Sequence, residues 1–281
     1  MSPTIPAPAT PQFTKPSRRI HLTRVRLRWE IWLVLGLSLL PSSLTAIVNL
    51  IEIAAQPTPI GETSSTLNPS ASEFPLFDVL YRLISFGTAM VPVALVIWLL
   101  WSRNESGFRR LGLDARQPGR RLGPLRDLGG GLLLAAAIGL PGLALYAASR
   151  ALGLTVQVVA GDTSMAWWTV GLLVLAALRA ALIEEVVVVG YLATRLHTLG
   201  WQRWGVILTS ALVRGSYHLY QGVPMALGNV VMGILFAYVF TRKRKDGRRP
   251  RVLPLVIAHF LLDLVSFLGY PLAASLWPGL F

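Results

Sequence analysis

The chain contains no cysteine, which excludes thiol catalysis, cysteine-ligated zinc, iron–sulfur clusters and any disulfide framework. Charged residues are also scarce, at 14% of the 281 residues, whereas 53% are hydrophobic. The mean hydropathy of +0.57 lies beyond that of an ordinary soluble domain. These values favour one polytopic membrane domain over two small soluble ones.

Acidic residues are few, at 13 against 26 basic residues, and the net charge is +13. No nucleic-acid recognition motif accompanies this charge, and the basic residues cluster at the ends of apolar segments. Such clusters set membrane topology and contact anionic headgroups, so we expect no nucleic-acid partner. Basic segments at the N-terminus, at 102–128 and at 242–251 alternate with loops poor in Lys and Arg. The positive-inside rule then predicts a cytoplasmic N-terminus and a C-terminus outside.

Apolar runs of about 20 residues, the length that crosses a bilayer, recur along the chain. We expect an all-α fold, a polytopic transmembrane helical bundle of about seven or eight helices with an intramembrane cavity. The Arg-rich, Lys-poor composition suggests a GC-rich bacterium and therefore a multi-pass protein of the inner (plasma) membrane. The predicted spans are 31–51, 79–101, 129–149, 167–194, 205–220, 224–241 and 252–269.

Two adjacent carboxylates, Glu184 and Glu185, lie inside the apolar run AWWTVGLLVLAALRAALIEEVVVVGYLATRL. An ionisable residue within the membrane is costly and is a functional-site hypothesis by default. Two further apolar segments carry His218 and the pair His259 and Asp263. Counted at about 1.5 Å per residue from the cytoplasmic ends of their spans, the three sets lie at similar depth. We therefore predict that they meet in one site.

Carboxylates and imidazoles in a low-dielectric cavity can activate water. Glu184 would take a proton from water and return it to a leaving amine, while His218 would orient the water or, with Asp263, donate to the oxyanion. Alternatively, Glu184, His218 and His259 would ligate zinc with water as the fourth ligand. No HExxH motif supports zinc, so that alternative depends on residue types alone. We expect no required cofactor, with zinc as the alternative.

Each polar residue also has a purely structural interpretation. A lone intramembrane histidine often serves as a hydrogen-bond partner between helices. His259 and Asp263 are four residues apart on a helix and can satisfy each other. Arg195 and His197 are expected to extend towards the membrane interface. The structural interpretation is weakest for the adjacent glutamates, because consecutive helical residues point in different directions and one partner cannot easily satisfy both.

The segments EEVVVVGYLATRL, SALVRGSYHLYQG and VLPLVIAHFLLD resemble the three motifs of the CAAX prenyl endopeptidase type II (Ras-converting) and bacterial CPBP/Abi family. Those motifs read EExxxR, FxxxH and HxxxN or HxxxD. The resemblance implies a glutamate-type intramembrane endopeptidase in which Glu184 activates water and Glu185 supports it. His218, His259 and Asp263 would complete the site.

Composition and hydropathy predict the tail and the N-terminal helices, whereas the resemblance implies the catalytic domain and the function. Residues 1–28 would be a disordered basic tail, 29–160 N-terminal transmembrane helices and 161–270 the catalytic domain. The predicted function is hydrolysis of peptide bonds in membrane-associated or prenylated-type substrates, although proteins of this kind are often classed as metalloproteases. Two alternatives stay open: a non-catalytic scaffold or bacteriocin-immunity protein of the same fold, and a proton-coupled transporter.

Two positions depart from the family motifs. The arginine of the first motif is Val189 here, and the aromatic residue of the second motif is Arg214. We hypothesise that Arg214 supplies, from a neighbouring helix, the positive charge that Val189 lacks. Arg179 is a second intramembrane cation that would offset the acidic residues, because unpaired buried charges are expensive.

Overall fold

The structure, a computed structural model, describes residues 24–114, 123–160, 167–242 and 249–276. Within these residues the chain is almost entirely helical, which confirms the predicted all-α membrane bundle. The helices are α1 (Arg24–Ser38), α2 (Leu40–Ala55), α3 (Pro75–Leu99), α4 (Gly107–Leu111), α5 (Gly123–Ala151), α6 (Trp167–Ile183), α7 (Ala193–Thr198), α8 (Arg203–Ser216), α9 (Val223–Thr241) and α10 (Leu253–Leu276). A π-helical segment, Glu184–Leu192, joins α6 to α7.

Among the described residues, three helices are long and apolar enough to cross a membrane: α3, α5 and α9. They correspond to the predicted spans 79–101, 129–149 and 224–241. α10 contributes a shorter apolar helix over Leu253–Gly269. Helix α8 has 14 residues, too few to cross a bilayer, and it ends at Ser216 rather than at the predicted residue 220.

The first predicted span, 31–51, is not one straight helix. α1 and α2 meet at Leu39 with a bend of 58°, and the pair counts as a fourth span only if the two helices are taken together. Pro41 in the first turn of α2 explains the break, because it has no N–H to bond to the carbonyl four residues earlier. Helix α1 begins at Arg24 and so includes the last five residues of the predicted tail 1–28, whose residues 1–23 lie outside the described chain.

The π-helical segment is the most deeply buried part of the fold. Every one of its nine residues is buried, including four consecutive valines. A π-helix forms i→i+5 hydrogen bonds and often occurs at functional sites. Gly190 lets this segment approach its neighbours, since a Cβ there would come within 2.6 Å of Leu111 and 2.9 Å of Val252. The segment is thereby packed against α4 and the start of α10.

A buried ion cluster joins the π-helical segment to the N-terminal helices. Arg195 donates to Oε1 of Glu30 at 2.7 Å and to the carbonyl of Leu99 at 2.8 Å. Tyr191 donates to the same Glu30 oxygen at 2.9 Å. The expectation that Arg195 extends to the membrane interface is therefore wrong, because its side chain is bound inside the protein; His197 is exposed.

A second buried cluster fixes the start of α10. Arg251 donates to Asp127 on α5 at 2.9 Å and to Asp114 after α4 at 2.9 Å. The N–H of Val252 donates to the carbonyl of Leu111 at 2.8 Å. Since α10 carries His259 and Asp263, these bonds set its position relative to the π-helical segment.

Two short parallel strands, β1 (Ser64–Leu67) and β2 (Gln157–Ala160), pair with Ser64 opposite Gln157. Arg150 donates to the carbonyls of Gly61 and Thr155, both at 2.8 Å, and so joins the two strand-bearing loops. Just before β2, the N–H of Val156 donates to the carbonyl of Gln221 at 3.3 Å. The strand pair is thereby tied to the turn that follows His218. Nothing tests the predicted division into domains, which stays a prediction.

Candidate active site

The three predicted motifs meet at one place in the fold. The site cluster comprises Glu184 and Glu185 at the start of the π-helical segment, Arg214, Tyr217 and His218 at the end of α8, and His259 and Asp263 on α10. All five residues proposed for catalysis and the proposed supporting cation are in this cluster. Hydrogen bonds or ion pairs connect the π-helical segment to the end of α8 and to α10.

Glu185 has a side chain with no exposed surface. Its Oε1 accepts from the guanidinium of Arg214 and lies 2.7 Å from Nδ1 of His259. Its Oε2 is buried without a hydrogen-bond partner among the described residues. Glu185 is thus held between two basic groups and is closed off from solvent.

Glu184 differs from its neighbour, because its side chain keeps 12% of its surface exposed. Its Oε2 accepts a hydrogen bond of 2.8 Å from the phenol of Tyr217 and lies 3.5 Å from Nη1 of Arg214. Of the two adjacent carboxylates, only Glu184 is therefore reachable from outside the protein interior.

Arg214 lies between the two carboxylates. Its side chain is completely buried, and its guanidinium contacts Glu185, Glu184 and the ring face of Phe236, whose centroid is 5.3 Å away. Val189, at the position of the family arginine, is a buried residue of the π-helical segment. Arg179 is not part of this arrangement, since it donates to Ser85 on α3 at 2.8 Å.

His218 follows the last turn of α8 and is half-buried. Its Nδ1 lies 3.1 Å from the carbonyl oxygen of Arg214. Because a carbonyl can only accept, Nδ1 carries the proton of this bond, and Nε2 of the neutral ring is then a free acceptor. The ring lies against Tyr217, with centroids 4.8 Å apart.

His259 connects two acidic residues. Its Nδ1 lies 2.7 Å from Glu185, whereas its Nε2 lies 3.5 Å from Oδ2 of Asp263. The second distance is long for a hydrogen bond, so the structural interpretation that His259 and Asp263 simply satisfy each other accounts for only the weaker contact. A neutral imidazole has one N–H, so a neutral His259 can donate to only one of the two carboxylates that face its nitrogens.

A metal ion fits this arrangement poorly. One ligand atom each from Glu184, Glu185 and His259 lie within 4.8 Å of one another, a set in which Glu185 replaces the His218 of the predicted zinc ligands. However, Arg214 contacts both carboxylates of this set and is permanently charged. A metal cation bound there would lie beside a buried guanidinium and compete with it for the same oxygens.

Tyr217 is the member of the site cluster that the sequence-based prediction missed. Its side chain is 6% exposed and its phenol bonds to Glu184. Its position immediately before His218, in an apolar segment, was the available signal, because a buried phenol needs a hydrogen-bond partner.

The family comparison matches the part of the chain that holds this cluster. The family model Type II CAAX prenyl endopeptidase Rce1-like matches residues 166–265. No curated protein and no solved structure matches the chain. The resemblance predicted from the three motifs is confirmed: over residues 166–265, which contain the whole site cluster, the chain matches the Rce1-like type II CAAX prenyl endopeptidase family, a family of membrane proteases.

Proposed function

We propose that the protein is an intramembrane endopeptidase in which Glu184 activates the attacking water. The observation that supports this most directly is the difference between the two adjacent carboxylates. Glu185 is sealed and paired with Arg214 and His259, whereas Glu184 keeps an exposed part. A general base must reach the proton that it removes, so Glu184 is the better candidate.

The reaction would proceed by two proton transfers through one carboxylate. Glu184 takes a proton from water as the water oxygen bonds to the scissile carbonyl carbon, and the carbonyl electron pair moves to its oxygen. The protonated Glu184 then gives this proton to the amide nitrogen. The oxyanion electrons return, the carbon–nitrogen bond breaks, and an acid and an amine leave.

The other residues of the site cluster would position the reacting groups and stabilise the charges that develop during the reaction. Nε2 of His218 is free to orient the water or, when protonated, to donate to the oxyanion. Arg214 and His259 fix Glu185, and Arg214 also lies near Glu184. Asp263 lies behind His259, with Oδ2 3.5 Å from Nε2, and would stabilise this imidazole when it is protonated. Preorganised charges of this kind need no rearrangement during the reaction.

We propose that no metal is required. The guanidinium of Arg214 already occupies the space between the two glutamates, which is where a zinc ion would have to balance their charge. The substrates would be membrane-associated or prenylated-type proteins or peptides, as the family suggests. The charge pattern supports a bacterial inner membrane location with a cytoplasmic N-terminus and an external C-terminus.

Purified full-length protein in liposomes tests this proposal. The probes are a fluorogenic farnesylated peptide with a CAAX ending and a set of single-span membrane peptides. We expect cleavage of at least one probe, and a loss of at least about 100-fold in turnover for Glu184→Gln, since general acid–base catalysis contributes that much or more. Glu52→Gln changes an exposed carboxylate on α2 and should retain wild-type turnover.

The outcomes separate the alternatives. Equal turnover by the wild type and Glu184→Gln would remove Glu184 from catalysis. Retained turnover in a chelator supports the metal-free mechanism, whereas a loss that added zinc restores would overturn it. Failure of the folded wild type to cleave any probe would favour the non-catalytic scaffold.

A further inference from the structure

The phenol of Tyr217 and the guanidinium of Arg214 contact the same oxygen of Glu184. The phenol donates to Oε2 at 2.8 Å, and Nη1 of Arg214 lies 3.5 Å from it. In the part of the chain that the structure describes, Oε1 of Glu184 makes no hydrogen bond. The two oxygens of one carboxylate therefore have different surroundings.

This difference restricts the rotation of the carboxylate. A carboxylate is planar, so the hydrogen bond by which Tyr217 holds Oε2 also fixes the direction of Oε1. Nη1 of Arg214, at 3.5 Å, attracts the same oxygen without forming a hydrogen bond to it. Oε1 has no hydrogen-bond partner among the described residues and is not one of the fully buried unpaired oxygens, and the side chain as a whole is 12% exposed. Oε1 is therefore the oxygen available to water. Misplacing a reacting group by about 1 Å can cost about 100-fold in rate.

We propose that Tyr217 is a positioning residue: its phenol fixes Oε2 of Glu184 so that Oε1 receives the proton of the attacking water. This inference rests on the proposed function. Tyr217 keeps its own proton throughout the reaction. Its ring also lies against His218, with centroids 4.8 Å apart, so one side chain contacts both the proposed base and the histidine proposed to orient the water.

The chain contains a second tyrosine in the same chemical setting outside the site cluster. Tyr191 is completely buried and donates to Oε1 of Glu30 at 2.9 Å, and Arg195 lies 2.7 Å from that oxygen. Each tyrosine thus donates to a glutamate that also pairs with a buried arginine. Tyr191→Phe therefore removes a comparable hydrogen bond without touching the proposed base.

The test compares Tyr217→Phe with Tyr191→Phe in the full-length protein in liposomes, using the peptide that the wild type cleaves best. We expect Tyr217→Phe to lower kcat by about 10-fold to 100-fold with KM within about twofold of the wild type. Tyr191→Phe should keep kcat within about twofold. Thermal unfolding of both variants in detergent should show similar, modest losses of stability.

The outcomes distinguish this inference from the proposed function. If the wild type cleaves, Glu184→Gln does not, and Tyr217→Phe retains full kcat, the positioning role is wrong while the function stands. An equal fall in kcat for both tyrosine variants would show a structural role and would also overturn the inference. If Glu184→Gln cleaves like the wild type, the proposed function itself fails.

Discussion

Arg214, at the end of α8, forms a buried ion pair with Glu185 of the π-helical segment. The same guanidinium lies 3.5 Å from Glu184, and neither side chain of the Arg214–Glu185 pair has any exposed surface. The family motif carries its arginine on the same helix as the two glutamates, where this chain has Val189. Here the cation reaches the carboxylates from a different helix.

Removing the charge of Arg214 should destabilise the protein and abolish turnover. Arg214→Met would leave two buried carboxylates without their shared cation, and breaking a buried pair costs about 3–5 kcal/mol. We expect a clear fall in the unfolding temperature and loss of peptide cleavage. Arg110→Met, which removes a cation whose side chain is 42% exposed, is the control and should change little. A stable, active Arg214→Met variant would contradict the role given to this residue.

Returning the arginine to the first motif should partly rescue the loss. In a π-helix residue i+5 lies near residue i, which brings position 189 towards Glu184. We expect Val189→Arg combined with Arg214→Phe to exceed Arg214→Phe alone in turnover and in unfolding temperature. Val189→Arg in the wild-type background is the control and should be harmful, because it buries an additional charge. If the losses of turnover and stability in the two single variants simply add in the double variant, an arginine at position 189 does not replace the cation of Arg214.

The sequence predicted most of the residues that meet in the site, but it missed Tyr217 and did not show how the residues pair. Three apolar segments carry ionisable residues at similar depth, and burying such residues in a membrane costs free energy. This was sufficient to predict that Glu184, His218 and His259 lie in one site. The pairing of His259 with Glu185 rather than mainly with Asp263 depends on how α10 packs against the π-helical segment. That packing is set by the buried hydrogen bonds of Arg251 to two aspartates. In the sequence, Arg251 is only one of several basic residues of the segment 242–251.

Local helix geometry was the part of the fold that periodicity could not predict. Apart from the two glutamates, α6 and the π-helical segment are almost continuously apolar, so no periodicity marks where the hydrogen bonding changes. Arg195 was assigned to the membrane interface because its partner, Glu30, lies 165 residues earlier in the chain. Pro41, by contrast, was visible and marks the bend between α1 and α2.

The contact between α8 and α9 depends on Gly233. A Cβ at this position would lie 2.8 Å from the Cα of Ala211 and 3.4 Å from Cδ of Arg214. Gly233→Ala should therefore push α8 away, displace Arg214 and cost about 1–3 kcal/mol of stability, with reduced turnover. Gly87→Ala is the matched control, since a Cβ there meets nothing within 4 Å, and it should keep wild-type stability or gain slightly. Equal behaviour of the two variants in thermal unfolding would contradict this close packing.

The position of α2 beside the site can be tested with a disulfide. The hydroxyls of Ser43 on α2 and Ser216 at the end of α8 lie 2.9 Å apart. Because the chain has no cysteine, Ser43→Cys with Ser216→Cys creates a pair that can react only with itself within one molecule. We expect mild oxidation to link the two helices, detected as a joined peptide by mass spectrometry after digestion. The link should raise the unfolding temperature, because closing so long a loop in the unfolded chain stabilises the folded protein by up to about 5 kcal/mol. Ser42→Cys with Ser216→Cys is the control. Ser42 is exposed and, because it is adjacent to Ser43 on a helix, its side chain points in a different direction from that of Ser43. Failure of the first pair to link, or equal linking of both pairs, would show that α2 does not hold this position against α8.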